Sequence, residues 1–418
     1  MSSSTTSGGD QLSPRQRVEA MLRTGRADRI PFAFCYFDPT GLFNKSPGTF
    51  LREELTRRFP QEGSYEWTLW DDAELNAWAH QQAMATLMEE YDWERCFFTR
   101  GGIHAWGRKL IVHQNRRYAI VNATDFRNPF EEHAWECRED GQIGNLPVKP
   151  HAPWRRGVEE NKRNPQTAVE LLQALPQRSA RQLRDLGEVE HIRQLAGRLK
   201  ERYMTVTWVP APFWRNHHYE TWGYAQLFTM LYDDPALVKQ ATEIHLYNAI
   251  EELKAAQWAG AEVVAIDEYF TSDDEIGLNH FLEFSLPATE KLIQEAKRLG
   301  LYVVFEYGGD ALSRIDHFKD LPADAFWVEE ASKQGPIDIG EVRRRLGDKK
   351  VLLGNLCNKD FLYKGTPAAV EEEVRRQIEV AGRHGYFMMS TGSASARAPI
   401  IENSLALLRA TKESGRPQ

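Results

Sequence analysis

Cysteine is scarce: four residues in 418 (Cys35, Cys96, Cys137 and Cys357), widely scattered and with no C-x-x-C pair. That scatter offers neither a disulfide framework nor a thiolate-rich zinc site of the usual spacing, and it fits a reducing compartment. Basic charge is not in excess. With 52 Lys and Arg against 60 Asp and Glu, the formal net charge is -8, which gives no ground for a nucleic-acid partner. The apolar runs are strand-sized, far short of the roughly 20 residues that span a bilayer, so no membrane association is expected. The opening MSSSTTSGGD has no charged-then-apolar signal pattern. Residues 1–12 therefore read as a disordered tail on a cytoplasmic protein. Nor does any strand candidate run into G-x-G-x-x-G, which argues against a dinucleotide-binding doubly wound sheet.

What the chain does have is ordinary globular composition, 42% hydrophobic and 27% charged, and one repeated unit. The run EVVAIDE (262–268) is apolar and stops on two carboxylates; a helical segment follows, and then a second apolar run ends in Phe305, Glu306 and Tyr307. Strand candidates recur at 30–37, 95–99, 204–208, 263–266, 302–305, 325–328, 350–353 and 387–390. Helices separate most of them. Eight strands alternating with helices predict an α/β fold, a (β/α)8 TIM barrel, as a single domain over 13–418. Ser13-Pro14 is the expected start of an N-terminal helical segment, with Gly25 at its end. An insertion around 103–160 interrupts the series. Within it, residues 105–121 alternate in character and predict a β-hairpin turning near Gln114-Asn115.

In a barrel the active site lies where strands end at their carboxyl side. The residues there are Asp38, Arg100, the aromatic loop 214–219, Asp267 with Glu268, Glu306 with Tyr307, Glu329 with Glu330, Asn355 with Cys357, and 390–393. Any one acid could be a solvated residue or a helix N-cap. Acids at several strand ends in succession repel one another and call for a proton, a cation or a metal between them. Asp267, Glu306 and Glu329 are the expected catalytic groups, with no metal ligand set assigned. Substrate contacts are expected from Asp38, Trp208, Trp214, His217, His218, Tyr219, Glu268, Tyr307, Asn355 and Ser393. The loop 210–222, PAPFWRNHHYETW, reads as extended, which would point His217 and His218 in opposite directions. Trp208, Trp214 and Trp222 supply candidate aromatic walls.

The segments VLLGNLCNKDFLYKGTPAAV (351–370) and GSASARAPIIEN (392–403), with SPRQRVEAML and ADRIPF near the start, resemble the uroporphyrinogen decarboxylase superfamily. That superfamily includes the decarboxylase and corrinoid-dependent methyltransferases. The resemblance implies a barrel with its site at the strand carboxyl ends. It also marks departures. The thiol-directed methyltransferases hold zinc with H-x-C-G and G-C motifs, where this chain has Glu306-Tyr307-Gly308-Gly309 and Gly392-Ser393. Zinc is therefore not expected, although Glu329 is similar to a glutamate near zinc in the related methionine synthase barrel. The decarboxylase's arginine-rich MRQAGRY is replaced by FCYFDPTGLFN (34–44), and its late G-H-G by Gly392-Ser393-Ala394. A tetrapyrrole rich in carboxylates does not suit an acidic mouth.

The leading expectation is methyl transfer between a small methylated compound or a corrinoid and a nitrogen acceptor such as tetrahydrofolate. Corrinoid or tetrahydrofolate would be co-substrates, and a corrinoid-binding protein a partner, to a monomer or homodimer. Decarboxylation or another carbon–carbon cleavage of a small non-tetrapyrrole acid is one alternative. A non-catalytic small-molecule-binding barrel is another.

Overall fold

The computed structural model describes residues 11–33, 108–113, 116–121, 133–136, 164–185, 203–218, 221–330, 337–392 and 401–416, with shorter pieces between 189 and 201. Helix α1 (Pro14–Thr24) leads to a short extended segment at 30–33. Strands β1 (Arg108–His113), β2 (Arg116–Val121) and β3 (His133–Glu136) form an antiparallel sheet. The two strands of the expected hairpin pair, out to His113 with Arg116, and β3 adds a strand that the sequence pattern did not mark. Helices α2 (Ala168–Ala174) and α3 (Ala180–Asp185) precede β4 (Val206–Pro210). The chain then runs α4 (Pro212–His218), α5 (Tyr224–Asp233), α6 (Pro235–Trp258), β5 (Val263–Glu268), α7 (Leu286–Arg298) and β6 (Tyr302–Tyr307). It continues with β7 (Ala325–Val328), α8 (Ile339–Leu346), β8 (Val351–Leu353), α9 (Pro367–Gln377), β9 (Phe387–Met388) and α10 (Ile401–Ser414).

Strands β4 to β9 pair in chain order, all parallel. Phe32 continues the set with a parallel bridge to Met389, and Ala33 N–H donates to the Met389 carbonyl at 2.8 Å. Seven of the eight strand candidates thus lie in one parallel order. The eighth, 95–99, lies outside the described residues. The strands are near-continuously apolar because both of their faces are buried.

Those two faces make two cores. On the outer one, Ile266, Phe305, Phe326 and Leu352 pack against the helices. On the inner one, Val206, Trp208, Val263, Ala265, Val304, Ala325, Trp327 and Leu353 pack with Ala33. Val18, Met21 and Leu22 of α1 join the inner cluster, so this helix closes the end of the barrel where the strands begin. It forms as its sequence signals foretell: Ser13 and Gln16 make a reciprocal capping box, and Gly25 ends the helix in the left-handed conformation. Arg15 ties the helix to the start of β5, its Nη1 lying 2.6 Å from Glu262 Oε2. The opposite end of the barrel is left for the acidic strand ends.

Candidate active site

Side chains alternate across a strand, so the inner face of β5 is Val263, Ala265 and then Asp267; that of β6 runs through Val304 to Glu306. Both strands extend further than their apolar runs, and the acids lie within them rather than beyond. Asp267 pairs in register with Pro210 on one side and Glu306 on the other, and Glu306 in turn with Trp327. Neighbouring strands are about 4.8 Å apart. The two carboxylates therefore stand side by side in the interior, 0% and 3% exposed. Such a pair can divide acid and base roles on one substrate. Trp208, one level below on β4, meets Trp327 edge-on with ring centroids 6.0 Å apart, and the Trp327 indole N–H donates to the Thr391 carbonyl at 2.9 Å.

The stretch expected as an extended loop after β4 is largely helix α4. Pro212 starts it, and partners on α6 hold it. Arg215 forms a buried bidentate pair with Glu252, Nη1 to Oε1 at 3.0 Å, and its Nε donates to the Pro210 carbonyl at 3.0 Å. Asn216 Nδ2 donates to Thr242 Oγ1 at 2.8 Å. His245, also on α6, shares a 2.9 Å hydrogen bond with Thr221 Oγ1. Burial, aided by the Arg215 charge, lowers its pKa to about 3, so it is neutral near pH 7. Adjacent residues on a helix are about 100° apart, not opposite. Trp214 packs on Tyr269 with centroids 5.3 Å apart, and His217 on Phe270 at 4.4 Å.

Tyr269 was not among the expected site residues. It follows β5 directly, and its hydroxyl donates to Glu306 Oε1 at 2.7 Å. Its ring lies across the end of β6, where Gly308 has no side chain: a Cβ there would stand 2.0 Å from Tyr269 Cδ1 and Cε1. The next glycine, Gly309, has φ of 110° and donates its N–H to Glu329 Oε2 at 2.7 Å. Glu329 follows the inner residues Ala325 and Trp327 at the same parity and is buried at the mouth. Asn355 continues the inner face of β8, but its amide serves structure. It donates to the carbonyls of Glu329 at 3.2 Å and Ile337 at 2.9 Å, fastening the end of β7.

Two expected substrate contacts are corrected. Glu268 and Tyr307 have the opposite parity to Asp267 and Glu306, and so face the helix layer. Glu268 Oε2 accepts from Thr289 Oγ1 of α7 at 2.6 Å, and Tyr307 packs on Phe318 at 4.5 Å. The strand period excludes both from the inner site. Trp208, Trp214 and His217 are placed as above. Asp38, Tyr219, Ser393 and the side chain of His218 lie outside the described residues. Among the described residues no group of three or more His, Cys, Asp or Glu is arranged to hold a metal ion, and no helix is long and apolar enough to cross a membrane.

A family model described as Uroporphyrinogen decarboxylase (URO-D) matches residues 163–414, more than half of the chain. Among curated proteins, the uroporphyrinogen decarboxylase of Nitrosomonas europaea is 30% identical over 199 residues, which cover 45% of this chain and 51% of that protein. That of Methylococcus capsulatus is 29% identical over 167 residues, 39% of this chain and 45% of the relative. The chain thus spans about half the length of the curated relatives it matches. Among solved structures, a methyltransferase from Methanosarcina mazei superposes with a TM-score of 0.63 at 16% identity, covering 96% of this chain and 99% of that one. At that identity the likeness establishes the fold, a TIM-barrel-like α/β architecture.

Proposed function

Because the chain belongs to the uroporphyrinogen decarboxylase (URO-D) family, we propose that it is an enzyme that transfers a methyl group between a small methylated compound, or a corrinoid, and a nitrogen acceptor such as tetrahydrofolate. The observation that carries this reading is the side-by-side placement of Asp267 and Glu306 inside the barrel, beside the Trp208 and Trp327 rings.

In the transfer, the acceptor nitrogen forms a bond to the methyl carbon while the bond from that carbon to its donor atom breaks. The bonding pair stays on the donor atom, and the nitrogen gives up its N–H proton. Glu306 takes that proton in this reading, and Asp267 supplies one to the departing donor atom when it leaves as a base. Aromatic faces favour a methyl donor that carries positive charge, and a dry pocket keeps the reacting centre from water. Glu329 backs the pair from the end of β7. A zinc–thiolate centre does not fit the residues described here. The groups at these strand ends are carboxylates, and a side chain at position 308 would collide with the Tyr269 ring. A corrinoid-binding protein as partner and a cytoplasmic location belong to the same reading.

Glu306→Gln should lower folate-dependent demethylation, or methyl transfer from methylcobalamin, by roughly 10²- to 10⁴-fold. Unchanged turnover would overturn the assignment. The names of the curated relatives favour a second reading, cleavage of a carbon–carbon bond in a small acid with Asp267 stabilising a protonated intermediate. Release of carbon dioxide from such an acid, without methyl transfer, would decide for it. Binding of such compounds with no turnover would make the barrel a binding protein.

A further inference from the structure

Tyr269 reaches Glu306 through a built arrangement rather than a chance contact. Phe270, the next residue, has φ of 58°, a left-handed backbone that a bulky residue adopts only where its surroundings enforce it. That turn folds the chain back across the end of β6. The loop beyond is pinned: Thr271 and Ser272 are buried. Arg314 Nε donates to the Thr271 carbonyl at 3.2 Å, and its Nη2 to the Ile276 carbonyl at 2.6 Å. The phenol ring is then held from one side by the bare backbone of Gly308 and from another by Trp214. Its hydroxyl ends 2.7 Å from Glu306 Oε1.

We infer that Tyr269 is a positioning residue for Glu306, fixing the plane of its carboxylate and favouring its ionised form, with Gly308 as the space that admits the ring. A hydrogen bond donated to a carboxylate is worth more to the charged state than to the neutral one. The ring itself is only partly buried and presents a π face beside the acid pair. The inference rests on the proposed role of Glu306 in proton transfer but is testable without it.

Carbodiimide labels protonated carboxyls, so the pH dependence of its attachment to Glu306, followed by peptide mass spectrometry, reads the protonation of that side chain with no substrate present. Tyr269→Phe keeps the ring and its packing but removes the donor. The Glu306 labelling midpoint should rise by about one pH unit. Gly308→Ala, which displaces the ring, should raise it in the same direction, while Tyr232→Phe, an exposed control, should not. An unmoved midpoint in Tyr269→Phe overturns the inference, whether or not Gly308→Ala folds. In a turnover assay the acid limb of the pH profile should move up with the midpoint, and kcat should fall more than KM changes. If the midpoint moves yet Glu306→Gln turns over normally, Tyr269 still positions Glu306 and it is the methyl-transfer reading that fails.

Discussion

Two faces of the same strands carry the same kinds of side chain to different ends. On the inner face of β5 and β6, Asp267 and Glu306 stand together in the barrel beside tryptophan and tyrosine rings. On the outer face, one residue along, Glu268 and Tyr307 are also paired in register, but against helices. There Thr289 donates to Glu268, and Thr271 Oγ1 donates to Tyr307 Oη at 3.3 Å. Burial raises the pKa of both. It carries Glu268 up to about 7, against the hydrogen bond from Thr289 and with help from the Asp267 charge. Tyr307 is pushed well above the ordinary phenol range. Adjacent acids are therefore not one acidic cluster. The strand period divides the residues here into a pair that faces the barrel interior and a pair that faces the helix layer.

The sharpest way to break this distinction is to neutralise neighbours in turn. Asp267→Asn should reduce turnover by roughly 10²- to 10⁴-fold with the fold retained, as for Glu306→Gln. Glu268→Gln, isosteric and one residue away, should leave turnover within a few fold. Steady-state kinetics with thermal melting of both variants checks the pair. Equal losses would mean that the inner and outer faces share one function.

The next largest effect tests whether the outer layer holds the inner one in place. Arg215 and Glu252 each have side chains only 4% exposed. Their pairing tethers α4, which carries Trp214 to the mouth. Glu252→Ala leaves a buried guanidinium without its carboxylate. The expected cost is about 3–5 kcal/mol of unfolding free energy in urea titration. A loss below about 1 kcal/mol would show that α4 is held without this ion pair.

These contrasts also show what could be read from the chain. The strand runs, the Ser13-Pro14 start and Gly25 end of α1 and the pairing of β1 with β2 were legible, because each is a local pattern with a local cause. Asp267 and Glu306 were legible as acids at apolar strand ends. Which of the neighbouring acids and aromatics point inward was not, because EVVAIDE does not say where its strand stops. Treating both residues after an apolar run as facing the mouth put Glu268 and Tyr307 on the wrong side. PAPFWRNHHYETW has no clear helical stripe, and α4 owes its place to Arg215 and Asn216 reaching α6. Tyr269 stayed hidden for a similar reason. Its importance depends on Gly308, 39 residues away in the chain and meeting it only across β5 and β6. The small size of that glycine beside the acid was the one available signal.

The gentlest test of the two-face contrast uses pH. Glu268 is wholly buried, and its carboxyl titrates near 7 when folded, against an ordinary value of 4.5. Between those two values the unfolded chain has released this proton while the folded chain still holds it. The folded state thus binds more protons, and stability from this group falls as pH rises. The contribution is fully present below about pH 4.5, declines through the interval and is gone above about 7. The whole change is on the order of 3 kcal/mol. Glu268→Gln, which cannot ionise, should remove that slope. Wild type and variant should melt close together at pH 5, and the variant should melt higher at pH 8. Parallel pH profiles for the two proteins would mean that the Glu268 charge is compensated within the helix layer, and that the outer face is more like the inner one than the strand period alone implies.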